Sequence, residues 1–316
     1  MHSAQYLGAA PAIAIGSIRL EGRALLAPMS GVSDLAMRRI ARRFGAALVF
    51  SEMVAAETFL QGDAEALMRA EGEGLAPHAV QLVGREGRAL AETARRVADA
   101  GAALMRDLDD AERLIATVVE AVSVPVTVKM RLGWDETSMN APELAQRAER
   151  AGARMATVHG RTRSQFYEGR ADWAAVRAVV SSVAIPVAVN GDCATADDAR
   201  TMLALSGAAG VMIGRAAVGA PWLVGAVARA LDEGGPAREP PREERRDAAL
   251  EHLDWLVGKL GPRAGLRHAR KHLAAYADQA GTEATLLRAL VTGEDVIETR
   301  RLLARAFDRD WVRQAA

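Results

Sequence analysis

Several short apolar runs of this 316-residue chain end in polar side chains, and those side chains are the ones that could do chemistry. Lys129 stands inside the otherwise apolar "PVTVKMRLG" (125–133). An unpaired buried ammonium is costly, so it must either pair with an acid such as Glu52 or serve a function. Gln81 lies in "HAVQLVG" (78–84), His159 and Arg161 close "MATVHGR" (155–161), Asn190-Gly191-Asp192 close "PVAVNGD" (186–192), and Gly214-Arg215 close "GVMIGR" (210–215). Two glycine turns beside an arginine can cradle a phosphate through backbone N–H groups. With that cradle present, Lys129 suits the N1–C2 carbonyl edge of a flavin, where a cation stabilises the anionic reduced ring. Gln81, both donor and acceptor, suits the ring's other polar edge, or equally a satisfied place in the core. His159 is either a core histidine or a flavin contact that handles protons, and its place at a strand end favours the second. Cys193 has no base spaced to activate it and is expected to be inert.

These residues need a frame, and the chain supplies one by alternation. Apolar runs at 24–29, 47–53, 78–84, 125–133, 155–161, 186–192 and 210–215 are each followed by a helical pattern, at 34–45, 64–70, 87–101, 141–153, 172–183, 195–207 and 219–231. Strands without polar alternation are buried on both faces, which requires a parallel sheet covered by helices. The expected fold class is α/β, a TIM-type β/α barrel whose active site lies at the C-terminal ends of the strands. "IAIGSIRLEGRA" (13–24) reads as a hairpin under the barrel floor. Residues 1–232 form the barrel domain in this reading and 233–242 a Gly-, Pro- and charge-rich linker. Residues 243–316, with helical patterns at 243–260, 264–280, 283–291 and 294–307, form a small all-α bundle.

Charge and cysteine content narrow the classes. Forty basic and forty acidic side chains cancel, which excludes a polyelectrolyte-like nucleic-acid binder and leaves local patches. One patch is "WLVGKLGPRAGLRHARKHLAAYA" (255–277), with Arg267, Arg270 and Lys271 and no acid. Another is "RTRSQFYEGRADW" (161–173), three arginines with Phe166 and Tyr167, a mix suited to RNA backbone and stacking. One cysteine excludes an internal disulfide and a Cys-based zinc site, so no metal and a cytoplasmic location are expected. The apolar N-terminal stretch lacks a basic flank and is broken by Pro11, so it is not expected to be a signal peptide. No run is long enough to span a membrane. No heptad pattern suggests a stable protein partner.

The set "LAPMSGVSDLAMRR", "VFSEMV", "VQLVGRE", "VPVTVKMRLGWDE", "TVHGRTRSQFYEG", "IPVAVNGDC" and "GVMIGRAAVGAPW" resembles the tRNA-dihydrouridine synthases, most closely their bacterial B-type branch. The resemblance covers nearly all of residues 13–231, and "RHARKHLAAYA" is similar to the basic helix of that family's C-terminal domain. It implies an FMN-containing β/α barrel, a helical tRNA-binding domain, and NADPH-driven reduction of uridines in tRNA to dihydrouridine. By position it assigns Pro28, Met29, Ser30, Gln81, Lys129, His159, Asn190, Gly191, Asp192, Gly214 and Arg215 to FMN. Arg161 and Arg163 would face the RNA, with Arg267, Arg270 and Lys271 on the basic helix. The implied chemistry is hydride transfer from flavin N5 to uracil C6 with a general acid protonating C5, on a uridine flipped out of its loop.

One element is missing from the alternation. The helical pattern "LDDAERLIATVVEAV" (108–122) has no strand before it, since "ADAGA" runs directly into "LMRD". The resemblance implies a fourth strand there ending in Met-Gly-Cys-Pro, whose cysteine is the acid, followed by a long loop. An absent piece on the order of 15–25 residues between Ala103 and Leu104 is expected from strand and loop sizes. The catalytic residue is therefore unknown, and Cys193, on another strand, does not fill the role. Either the protein lacks the segment, or it carries residues beyond these 316. Two rival functions stay open: another FMN barrel oxidoreductase acting on a small molecule, such as a dihydroorotate dehydrogenase-like enzyme, and a tRNA-binding relic without catalysis.

Overall fold

The computed structural model describes residues 13–97 and 107–308. The chain opens with an antiparallel pair, β1 (Ala14–Ile15) and β2 (Ile18–Arg19), turned at Gly16 where φ is +59°. Parallel strands then alternate with helices: β3 (Ala24–Leu26), α1 (Leu35–Arg43), β4 (Leu48–Ala55), α2 (Ala56–Leu60), α3 (Ala64–Ala70), β5 (His78–Val83) and α4 (Gly87–Val97). After residues 98–106 come α5 (Leu108–Ala121), β6 (Thr127–Arg131), α6 (Ala141–Arg150), β7 (Met155–His159), α7 (Val176–Val180), β8 (Val187–Asn190), α8 (Ala196–Ser206), β9 (Gly210–Ile213) and α9 (Leu223–Glu233). Four helices follow, α10 (Arg242–Leu260), α11 (Pro262–Ala280), α12 (Ala284–Thr292) and α13 (Val296–Ala306).

The large sheet is wholly parallel, in the order β5-β4-β3-β9-β8-β7-β6. Every residue of β3, β7, β8 and β9 is buried, as continuous apolar runs require when helices cover one face and a packed interior the other. Among the described residues the sheet has seven strands and is open between β5 and β6, the place of the expected fourth barrel strand. The junction of Ala103 with Leu104 lies outside the described residues. The helices on either side of the opening pack on each other, Leu90 and Ala94 of α4 joining Leu114 and Val118 of α5 in one apolar cluster with Leu82 and Val126.

Helix ends follow local chemistry. Asp34 caps α1 by accepting from the Met37 amide, and Thr195 with Asp198 forms a capping box at α8, which ends at Gly207 with φ +72°. One expectation is corrected: the helix read at 172–183 is only Val176–Val180. The residues before it are used otherwise, the Asp172 amide donating to the Gly160 carbonyl at 2.6 Å and Trp173 Nε1 to the Gly191 carbonyl at 2.8 Å. They brace the turns at the C-terminal ends of β7 and β8 and are unavailable to a helix.

The C-terminal helices have their own apolar core, which includes Leu253, Leu266, Leu273 and Leu303 and continues into Ile40, Ala220 and Trp222 of the β/α part. Trp222 is 1% exposed, stacks on Tyr276 of α11 at 6.0 Å and meets Phe44 edge-on at 6.2 Å. The two parts are thus joined by aromatic packing.

Candidate functional site

Parallel register aligns the polar ends of the strands. Arg131 of β6 pairs with His159 of β7, and His159 with Asn190 of β8, while Lys129 pairs with Thr157 one step lower on the same face. Gly191, Asp192, Gly214 and Arg215 follow immediately beyond β8 and β9. The cavity they enclose, about 400 Å³, is lined by Pro28, Met29, Lys129, Arg131, His159, Tyr167, Asn190, Asp192, Cys193 and Arg215 together with the two glycine turns. A volume of this order is that of a small-molecule or cofactor site.

Each side chain has a definable state. Lys129 has no acidic partner among the described residues, and burial, aided by the charge of Arg131, lowers its pKa to about 8. The alternative pairing with Glu52 does not form. Glu52 instead accepts from the Gly31 amide at 2.7 Å and lies 3.5 Å from Arg69 Nε, with burial raising its pKa. His159, 9% exposed, is driven down to about 3 by burial and by the cations Lys129, Arg131 and Arg161, so it is neutral. Its Nδ1 is buried without a partner. Asn190 donates from Nδ2 to the Met212 carbonyl at 2.8 Å. Cys193, 4% exposed, is pushed up to about 12, chiefly by burial, and stays a thiol.

Asp192 organises the turn after β8. Its backbone is left-handed, φ +57°, and its carboxylate accepts from Arg161 at 3.0 and 2.6 Å, from the Ala171 amide at 2.9 Å and from Arg215 at 2.8 Å. Burial alone would raise its pKa. The Arg161 and Ala171 hydrogen bonds and the two arginine charges outweigh that and hold it below the usual carboxylate range. Gly191 beside it sits at φ +119°, and a Cβ there would lie 2.7 Å from the Ala171 Cβ, so only glycine fits. A Cβ at Gly214 would meet Ala27 and Met29 at 3.6 and 3.7 Å, ordinary contact, so protein crowding does not demand glycine and the space over it is free for a ligand. The Arg215 guanidinium is 62% exposed, and it and Arg131 flank the Tyr167 ring at 5.3 and 5.7 Å. An anion at these turns would meet a glycine-rich backbone and the open side of Arg215.

Three assigned residues lie outside the lining of the cavity. Arg161 does not face solvent: it is 2% exposed and spends its donors on Asp192 and the carbonyls of Glu168 and Gly169. Its place on the outer surface is taken by Arg163, which lies over Phe166 at 4.5 Å. Gln81 does not line the cavity, because it sits on the edge strand β5 beyond β4, paired with Met53. Ser30 is exposed and is not among the lining residues. Arg267, Arg270 and Lys271 are all exposed on α11, and Lys271 reaches the loop after β3, its Nζ 3.4 Å from where a Cβ on Gly31 would be.

A cluster missed in the sequence lies behind that loop. Asp34 Oδ2 meets His252 Nε2 at 2.9 Å and His272 Nε2 at 3.4 Å, and His252 Nδ1 meets the Tyr276 hydroxyl at 3.0 Å. The spacing of His272 and Tyr276, four apart on one helix face, was the available signal.

Comparison with known proteins agrees with the geometry. A family model described as Dihydrouridine synthase (Dus) matches residues 25–311. A "Probable tRNA-dihydrouridine synthase" of Rhizobium leguminosarum bv. phaseoli is 45% identical, covering 92% of this chain and 96% of its own. One of Rhodobacter capsulatus is also 45% identical, covering 93% and 98%. A "tRNA-dihydrouridine synthase B" of Xanthomonas campestris is 38% identical, covering 93% and 95%. The alignment with the Rhodobacter protein runs over 318 positions, more than this chain has, while using 93% of it, so roughly two dozen positions of that relative have no counterpart here. Among solved structures, a variant of NCR from Zymomonas mobilis shares the fold at TM-score 0.50 and 14% identity, covering 75% of this chain and 94% of its own.

Proposed function

The chain belongs to the dihydrouridine synthase family, and on that premise we propose that it reduces particular uridines of tRNA to 5,6-dihydrouridine with FMN as bound cofactor and NADPH as reductant, in the cytoplasm. The observation that carries this reading is the cavity itself, where a lysine without an acidic partner and a half-free arginine beside two glycine turns face the same space as a neutral histidine with an orphaned nitrogen. This donor set fits a flavin monophosphate: one anion site at the turns and one cation deeper in.

In this reading Arg215 and the turn backbone at Gly191 and Gly214 hold the phosphate, while Asp192 fixes Arg215. Lys129 offers its charge to the ring, and Asn190, tied to Met212, offers its free Oδ1. Bound there, the flavin supplies hydride transfer from the nicotinamide to uracil C6. Tyr167, Arg163 and Phe166 at the rim and Arg267, Arg270 and Lys271 on α11 engage the RNA. No helix among the described residues is long and apolar enough to cross a membrane.

The acid that the family resemblance puts on the fourth strand is not among the described residues, and in this reading Lys129 and Tyr167 are engaged with the flavin and the RNA. His159 is neutral, and Cys193 holds its proton to about pH 12. This favours, as the second reading, a tRNA-binding protein that does not reduce its ligand. Intact mass separates the two, since a chain heavier than 33.5 kDa by some two dozen residues has room for the missing strand and its acid. The activity is tested by incubating the protein with FMN, NADPH and unmodified tRNA and weighing the released nucleosides for uridine that has gained two hydrogens. Well-folded protein that stays colourless after exposure to FMN refutes the flavin reading.

A further inference from the structure

The loop from Pro28 to Asp34 connects two surfaces that the proposed reaction must keep in register. Its first residues, Pro28 and Met29, line the cavity. It is closed on itself by the Met29 amide donating to Ser33 Oγ at 2.9 Å, and by the Val32 and Ser33 amides donating to the Met29 carbonyl, both at 2.9 Å. From β4, Glu52 accepts from the Gly31 amide. The last residue, Asp34, reaches the C-terminal helices, where its Oδ2 receives His252 of α10 and His272 of α11. Asp34 Oδ1 remains on the Met37 amide at 3.0 Å. The preceding residue of α11, Lys271, lies against Gly31.

The cluster is self-sufficient. Each histidine faces Asp34 Oδ2 with its Nε2 and can donate to it, and His252 Nδ1 pairs with the Tyr276 hydroxyl, so every polar atom facing Oδ2 is used. His272 is held neutral, its pKa lowered to about 4, first by burial and then by His252. The two imidazoles and Tyr276 are 1 to 3% exposed, so the hydrogen bonds are shielded from water and a mismatched partner there is costly. The atoms also have the types that hold a transition metal. The buried Arg38 guanidinium nearby, bonded to the Ser33 carbonyl at 3.1 Å, and Lys271 at the other side oppose a further cation.

We propose that Asp34, gripped by His252 and His272, is a positioning residue for the reaction: it fixes the RNA-facing helix α11 relative to the Met29 loop that walls the flavin cavity. The inference rests on the tRNA and flavin reading above for its purpose, but the clasp itself exists without either ligand. Asp34→Asn separates clasp from cap, because an asparagine still accepts from the Met37 amide while its NH₂ faces two Nε2–H donors. His272→Leu removes one arm, and His272→Gln restores a donor near the same place.

The test is amide hydrogen exchange on the full chain. In the free protein, Asp34→Asn and His272→Leu should speed exchange at the Met29, Gly31, Val32 and Ser33 amides at least tenfold, with His272→Gln close to wild type. On adding tRNA, wild type should gain protection in both α11 and the 29–33 loop, whereas the two disruptive variants should gain it in α11 alone. Unchanged exchange at the loop in both variants overturns the clasp, as does equal gain of loop protection by variant and wild type, or stoichiometric metal in the purified protein. If Asp34→Asn fails to fold, the His272→Leu and His272→Gln pair decides alone. If tRNA protects nothing in the wild type, the tRNA reading fails, while the free-protein comparison still decides the clasp.

Discussion

Replacing Asp192 with asparagine tests whether one carboxylate holds the wall of the cavity. Asparagine adopts the left-handed backbone at least as readily as aspartate, so the φ of +57° is not what changes. What changes is the charge that neutralises Arg161. Two hydrogen bonds join that pair, and the guanidinium is 2% exposed. Hydrogen bonds to charged groups contribute about 1.5–3 kcal/mol each, and one oxygen of asparagine still accepts. Breaking a buried pair costs about 3–5 kcal/mol, reduced here because the Asp192 side chain is 26% exposed. The Arg215 bond, at 62% exposure, adds about 0–1 kcal/mol. Together these give a loss of about 2–3 kcal/mol at pH 7.

The pH dependence has a fixed sign. The folded carboxyl titrates below its usual range and the unfolded one near about 3.9. The stabilisation is therefore fully present above the unfolded value and lost as pH falls through the folded one. Denaturant unfolding of both proteins at pH 7, 5 and 3.5 should show an equal gap at the first two and a smaller one at the third. A gap under about 0.5 kcal/mol at pH 7, the usual range for an unimportant surface change, refutes the reasoning, as does a gap that widens on acidification.

Three further outcomes follow from the same geometry. Lys129 is lowered to about 8, so the ligand-free protein binds fewer protons folded than unfolded from there to about 10.4; its stability against denaturant should rise relative to Lys129→Met across that window, while Lys129→Met should bind flavin more weakly in a spectral titration. Gly191→Ala places a methyl 2.7 Å from Ala171 in a left-handed backbone and should cost about 2–3 kcal/mol in denaturant unfolding, with loss of flavin retention on a sizing column. Arg163→Ala and Arg267→Ala should each lower the slope of log affinity for tRNA against log salt by about 0.7–0.9, measured by filter binding, whereas Arg161→Lys should show its damage as lost stability first.

The strands and most helices are legible in the sequence because apolar runs and helical periods report burial directly. The polar strand ends are legible because a charge inside an apolar run has few explanations. Direction is not legible. Arg161 and Arg163 are two apart in one loop, and only the fold reveals that the first turns in to Asp192 while the second lies over Phe166. Gln81 has the right chemistry for a flavin edge but sits two strands from β3, across an open side of the sheet, and the run around it does not encode that distance. The Asp34 clasp escapes because its members are more than two hundred residues apart, and each histidine alone reads as an ordinary helical residue.

The open side of the sheet divides the proposed function into two separable parts. The cavity residues lie on β3, β9, β8, β7 and β6, five strands that are consecutive in the sheet. Their mutual registers do not depend on what lies beyond β6, so a chain of 33.5 kDa can still form the phosphate turns and present Lys129 and His159. Opposite them β5 carries Gln81 at an edge that is unpaired among the described residues, and such edges on both sides of the opening invite pairing with other chains. A chain of that mass should therefore bind flavin with the colour and spectrum of a bound ring, self-associate more as its concentration rises, and leave uracil unreduced for want of the acid expected on the fourth strand. A chain longer by the two dozen positions of its relatives has enough for one strand of about five or six residues and a loop, and should be monodisperse and active. Flavin binding that appears only in the longer chain would show that the five-strand half does not make the site, and with it the assignment of the cavity would fall.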